Sequence, residues 1–190
     1  APHLASRFWI NTFAQNGDEK GRFLRKHHGE FCDVMVKQHL GSATTFVSAM
    51  VSASQICHIC NVGDSRAYHI SADGKWQQVS HDHTVLADLI EQGEADASQE
   101  YAHIYNALAH CLIADEEEAN FNIHTHSFPM QPGETILLCS DGLSDTLSNA
   151  QLETLWNAHH SLADQLEALR KAVKKQGHYD DCSVVCAQYG

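Results

Sequence analysis

Hydrophobic and polar positions follow two different periods along this chain, and the change of period divides it. In LASRFWINTFAQNG, residues 4–17, Ala5, Phe8, Trp9, Thr12 and Phe13 recur at helical spacing, and Gly17 follows as a stop. The next stretch, KGRFLRKHHGEFCDVMVKQHLG over 20–41, predicts a second helix interrupted near Gly29. From Gly41 the pattern turns β-rich. TTFVSAMVSA, QICHICNVG and RAYHIS are apolar runs separated by short polar breaks. Asp73-Gly74 in SADGK is a hairpin signal, with KWQQVS as the return strand. Residues 44–79 are therefore expected to form an antiparallel meander.

The second half alternates again. VLADLIEQG reads as a short helix ending at Gly93. Residues 94–120 are polar and irregular, with some helical character in YAHIYNALAHCL. FNIHTHSF alternates as a strand, and ETILLCS is continuously apolar, as a central strand would be. Ser148 with Gln151 fits a capping box opening NAQLETLWNAHH. Leu162, Leu166, Leu169 and Val173 mark one face of a last helix closed by Gly177, and CSVVCAQY is the final strand. Helices, then antiparallel strands, then helices and a strand predict an α+β fold with helices layered on sheet.

Composition narrows the setting. The 190 residues suffice for one sizeable core and are read as a single domain, 1–190. Twelve Lys+Arg against twenty-four Asp+Glu leave a net charge of −12, which argues against nucleic acid or an anionic membrane as main partner. No apolar run approaches the ~20 residues of a spanning helix, and no signal peptide is visible. The chain opens on Ala1, which reads as a trimmed start. Its seven cysteines are odd in number and mostly sit in apolar runs, as reduced thiols of a cytoplasmic protein do.

Three acidic turns could carry chemistry. The apolar strand TILLC runs into Asp141-Gly142, with Asp145 beyond. A carboxylate at a strand end, with glycine permitting close backbone approach, suits a hard cation; an ordinary Asp-Gly turn is the other reading. Asp180-Asp181 precede the last strand, and adjacent carboxylates need a cation, a proton or solvent. Asp64 and Arg66 flank Ser65 at a strand break, where a β-bulge with an internal Asp–Arg pair competes with a catalytic role for Arg66. Together, the three strand ends suit one or two Mg²⁺ or Mn²⁺ ions.

The order of GSATT (41–45), VGDSRAY (62–68), VSHDHT (79–84), LIEQGEA (89–95), LLCSDGLSD (137–145) and YDDCSVV (179–185) resembles the successive motifs of bacterial metal-dependent Ser/Thr protein phosphatases of the 2C type. The resemblance covers nearly the whole chain. It implies a four-layer α/β/β/α sandwich of antiparallel sheets and a centre of two Mn²⁺ or Mg²⁺ ions. It further implies hydrolysis of phosphoserine or phosphothreonine in proteins by metal-activated water, without a phosphoenzyme. Asp141 and Asp180 match metal-binding aspartates of the family. Asp64, with Asp145, matches positions linked to a weaker third ion. Residues 85–112 match a flap that tunes substrate choice. A phosphorylated protein is the implied substrate, opposed by a Ser/Thr kinase.

Departures accompany the resemblance. The family's Arg-x-x-Asn-Glu-Asp and Asp-Gly-x-Gly-Gly stretches, which supply a phosphate-contacting arginine and bridging carboxylates, have no match here. The usual Asp-Asn pair is Asp180-Asp181, and the His-Pro-x-Arg-Asn run of the flap reads HIYNAL. A fragment of an active enzyme is therefore the expectation, with a catalytically inactive phosphatase-like binding module as the alternative. Other signals are set aside. The Cys57-x-x-Cys60 pair lies within an expected strand, where its thiols point to opposite faces, so a zinc or redox site is not expected. Most of the fifteen histidines read as solvated or partly buried, while Asp82-His83 matches the family's Asp-His element, which the resemblance links to order in the flap. Ser65 and Ser140 lack the strand–turn–helix context of a serine nucleophile.

Overall fold

The computed structural model describes residues 7, 20–99, 101–115, 121–157, 160–177 and 180–190. The helix expected over 4–17 lies outside these residues, apart from Arg7, which is helical. In chain order the elements are α1 (Lys20–His39), β1 (Ala43–Thr44), β2 (Phe46–Val51), β3 (Ile56–Val62), β4 (Arg66–Ile70) and β5 (Trp76–Gln78). They continue with α2 (Val85–Glu91), a 3₁₀ turn (His103–Asn106), β6 (Leu112–Ile113), β7 (His124–Pro129) and β8 (Thr135–Cys139). The last are α3 (Asp141–Ser144), α4 (Asn149–Leu155), α5 (Leu162–Lys175) and β9 (Val184–Gln188). Helices and antiparallel sheets make an α+β fold in two compact units. The first takes the described residues of Ala1–Phe46, Cys60–Asp64 and Asp82–Thr125. The second takes Val47–Ile59, Ser65–His81 and the described residues of His126–Gly190.

In the first unit, α1 is one uninterrupted helix rather than the broken one its sequence predicts. Leu24, His28, Phe31, Cys32 and Met35 are buried along one stripe, and the apolar members pack against Cys60, Val62, Leu112, Ala114 and Phe121. Gly29 falls on the exposed side, with nothing within 4 Å of the place a Cβ would occupy. A mid-helix glycine costs about 1 kcal/mol, less than burying even one Leu or Phe of that stripe contributes, about 1.5–3 kcal/mol. Packing therefore carries the helix through Gly29. Below it, β1 pairs with β6 in antiparallel register, Ala43 opposite Ile113 and Thr44 opposite Leu112.

In the second unit, the antiparallel sheet β5-β4-β8-β9 has β8 inside it, between β4 and β9. Leu137 and Cys139 of β8 enter a core with Leu143, Leu147, Leu152, Trp156, Leu169 and Val173 from the helical segments. Ile136, from the opposite face, joins Cys57, Ile59, Ala67, Val79 and Met130, with Leu138 packed against that cluster. Both faces of β8 are covered, and this is why its sequence lacks the period-2 alternation of a half-exposed strand. The capping box at Ser148 forms as expected, its hydroxyl accepting from Gln151 N while the Gln151 side chain accepts from Ser148 N.

The expected meander is broken. β4 and β5 pair across the Asp73-Gly74 turn, with Tyr68 opposite Gln78. β3, however, lies in a separate sheet of order β2-β3-β7, while β4 pairs with β8. The chain changes sheets at residues 63–65. Apolar runs on either side of a turn look the same whether the strands pair with each other or part, so local pattern cannot report this switch.

Candidate functional site

Asp141 opens α3 directly after β8, with Ser140 as N-cap. The corner is locked to the entry of β9. Ser140 Oγ donates to Asp181 O at 3.1 Å and accepts from Ser183 N at 3.0 Å, while Ser140 N donates to Ser183 O at 3.0 Å. Gly142 makes this approach possible. A Cβ there would stand 2.7 Å from Asp181 O and 3.0 Å from Cys182 Cα. The Asp-Gly pair is thus more than a turn signal; the glycine is required by the backbone of Asp181 pressed against it.

The two strand-end carboxylates are held alike. Asp141 Oδ1 accepts from Gly142 N at 2.8 Å, and Asp180 Oδ1 accepts from Asp181 N at 2.8 Å. One oxygen of each is therefore fixed by the next residue's amide, leaving its second oxygen as a hard donor. Asp141 is half-buried and Asp180 exposed. Asp145 is the exposed C-cap of α3, its N–H donating to Asp141 O at 2.8 Å. Asp64 is half-buried in the turn after β3 and belongs to the first unit, whereas Asp141, Asp145 and Asp180 belong to the second. Among the described residues, no group of three or more His, Cys, Asp or Glu side chains is arranged to hold a metal ion.

The surroundings of the Asp141 corner favour oxygen over sulfur chemistry. Partial burial, and then the charge of Asp141, push the Cys182 thiol pKa up, which keeps it protonated and a poor soft-metal ligand or nucleophile. A cavity of about 620 Å³ opens beside Asp180, with Leu169, Val173 and Val184 among its apolar lining and Lys174, Asp180 and Asp181 among its polar lining. Arg66, the other candidate in the Asp64 motif, donates from Nη1 to Tyr68 Oη at 3.4 Å, and Tyr68 Oη donates in turn to Asn149 Oδ1 at 3.4 Å. Cys57 and Cys60 line different cores, one in each unit. Ser140, which lacks a nucleophile's context, is instead the clamp between two acidic turns, a role that its sequence does not predict. The only local signal was a polar residue ending an apolar strand.

Comparison with known proteins decides the family: residues 25–177 match the model described as Protein phosphatase 2C. The chain belongs to this family. Its 2C-type relatives include the serine/threonine phosphatase stp of Listeria innocua, 29% identical over 78% of this chain and 57% of that protein. The serine/threonine protein phosphatase PstP of Mycobacterium tuberculosis is 27% identical over 81% of this chain and 29% of that protein. The chain thus spans 57% of the length of the Listeria phosphatase. The crystal structure of the M. tuberculosis phosphatase PstP/Ppp superposes with a TM-score of 0.81 at 22% identity, covering 98% of this chain and 82% of that one. A PstP catalytic domain in complex with two manganese ions superposes with a TM-score of 0.77 at 23% identity, covering 98% of this chain and 80% of that one. These likenesses show the shared 2C-type fold. Among the described residues, no helix is long and apolar enough to cross a membrane.

Proposed function

We propose that this protein hydrolyses phosphoserine and phosphothreonine in proteins with the help of Mn²⁺ or Mg²⁺. The observation that carries the reading is the Ser140–Gly142 clamp, which sets the Asp141 corner of a phosphatase 2C chain against the Asp180–Asp181 turn. Such ions keep several waters and need only one or two protein carboxylates, so the pair fits them. Asp141 and Asp180 would hold the ions, two as in the manganese complex of PstP, and Asp64 and Asp145 are each taken as metal-binding residues on the resemblance. Bound there, the ions supply Lewis acidity and a water acidic enough to act as nucleophile near neutral pH. The chain's own part is to hold the carboxylates. Ser140 fixes the two backbones, and the amides of Gly142 and Asp181 fix one oxygen of each Asp.

The 190 residues are taken as one phosphatase-like domain whose flap spans 85–112, acting in the cytoplasm on a phosphoprotein and opposed by a Ser/Thr kinase. One observation keeps the binding-module reading in play: the lack of a group of three or more ligating side chains among the described residues. The deciding measurement is Mn²⁺-dependent phosphate release from a phosphothreonine peptide, with Asp141→Asn as control. Release that drops by about 100-fold or more in the variant supports the phosphatase, on the scale of losing a key electrostatic group. Mn²⁺-dependent peptide binding without release supports the module instead.

A further inference from the structure

The turn that carries Asp64 is held by His83, a residue that the phosphatase reading places at the flap and not at this turn. His83 is 4% exposed, and Asn61 is wholly buried. Gly63 N donates to His83 Nδ1 at 3.0 Å, and His83 N donates to Gly63 O at 3.1 Å. Asn61 Nδ2 adds a second donor to Gly63 O at 3.3 Å. Since a backbone N–H can only donate, Nδ1 must be the unprotonated nitrogen of the ring. Gly63 has φ +97°, and a Cβ there would come within 2.7 Å of Thr45 Cβ. So both polar groups of Gly63 are paired, and the space beside its Cα is filled by Thr45.

The same histidine anchors the flap segment. His83 O accepts from Ala109 N at 2.9 Å, beside the isolated bridge between Thr84 and Leu108 and the bond from Val85 N to Ala107 O at 3.0 Å. The ring of His110 stands edge-on to that of His83, centroids 5.7 Å apart, and His110 Nε2 lies 3.0 Å from Asn122 Nδ2. All of these residues lie in the first unit. One buried residue therefore grips the Gly63 backbone with its ring and its N–H and grips the far end of the flap segment with its carbonyl. Asp64 is the next residue, its Cα about 3.8 Å from that of Gly63, so a shift of Gly63 displaces it directly.

We propose that His83 is a positioning residue that couples the flap segment 85–112 to the Asp64 turn, so that a movement of one is felt at the other. The coupling rests on the phosphatase reading only in taking Asp64 as a metal ligand; the mechanical link does not. Without the Nδ1 acceptor, the Gly63 N–H is left buried and unpaired, an expensive state that the turn relieves by shifting.

The test compares His83→Leu with His83→Asn. Asn places a carbonyl oxygen where Nδ1 stood, whereas Leu fills space without an acceptor. Amide exchange would be read at Gly63, at Ala107–Ala109, and at Leu137 in the second unit as a control, alongside Mn²⁺ affinity by calorimetry. For His83→Leu, we expect exchange to rise about tenfold at both Gly63 and Ala109 with Leu137 unchanged, the scale of one lost buried hydrogen bond. Mn²⁺ affinity should weaken in parallel, and His83→Asn should restore both. Faster exchange at only one of the two segments overturns the coupling, as does an Asn variant no better than Leu. Should His83→Leu fail to fold, His83→Gln takes its place, because its longer amide moves the acceptor away from Nδ1; equal protection in Asn and Gln also overturns it. A protein without phosphatase activity would sink the functional reading while leaving the exchange result to stand or fall alone.

Discussion

At the scale of single residues, the Asp141 corner depends on Gly142, a position where a side chain cannot be added. Gly142→Ala would press a methyl group against the backbone of Asp181 and Cys182, and neither is the flexible end of a side chain that could swing away. We expect it to cost about 1–3 kcal/mol of stability, as overpacking does, and to weaken Mn²⁺ binding by moving the Asp180–Asp181 turn. Urea unfolding and metal titration check the two effects; an alanine variant with wild-type stability and affinity would show the corner to be looser than its geometry. The Asp-Gly corner at the end of an apolar strand was legible in the sequence. The role of Ser140 was not, because its partners Asp181 and Ser183 are distant in the chain and only the pairing of β8 with β9 brings them near.

At the scale of elements, α1 shows packing overriding a local break. Gly29 is exposed and unhindered, so Gly29→Ala should stabilise the protein by about 1 kcal/mol through helix propensity alone. A chemical-denaturation midpoint that stays put or falls would mean the helix needs its glycine for a reason the geometry does not show. The strands divide similarly. β8 was readable as a central strand because two covered faces leave an apolar run in any order of pairing. The partners of β3 were not readable, since nothing local distinguishes a hairpin from a change of sheet at residues 63–65.

At the scale of the whole molecule, stability should depend on pH through a histidine buried in the first unit. His28 is 3% exposed, faces Phe121 at 5.0 Å between ring centroids, and donates from Nε2 to Ile113 O at 3.0 Å. Burial lowers its pKa below the ordinary 6.5, with the bond to Ile113 opposing in part. The unfolded chain then takes a proton near pH 6.5 where the folded chain does not, so the unfolded state binds more protons in that window. The contribution is complete above about pH 6.5 and is lost as pH falls through that value toward the lower folded pKa. Urea midpoints from about pH 7.5 down to about pH 5.5 should fall, and fall less steeply in His28→Asn; parallel slopes would remove His28 as the cause.

The sequence alone determined what depends on local order along the chain. The apolar face of α5, the capping box at Ser148, the covered strand β8 and the opposed thiols of Cys57 and Cys60 follow from spacing, because side-chain direction repeats with a short period. Tertiary structure decided what depends on which distant segments meet. It chose the sheet that β3 joins, carried α1 through Gly29, set Asp181 against Gly142, and bonded His83 to both Gly63 and Ala109. Those outcomes are contacts between residues far apart in the chain, and no window of local pattern contains both partners.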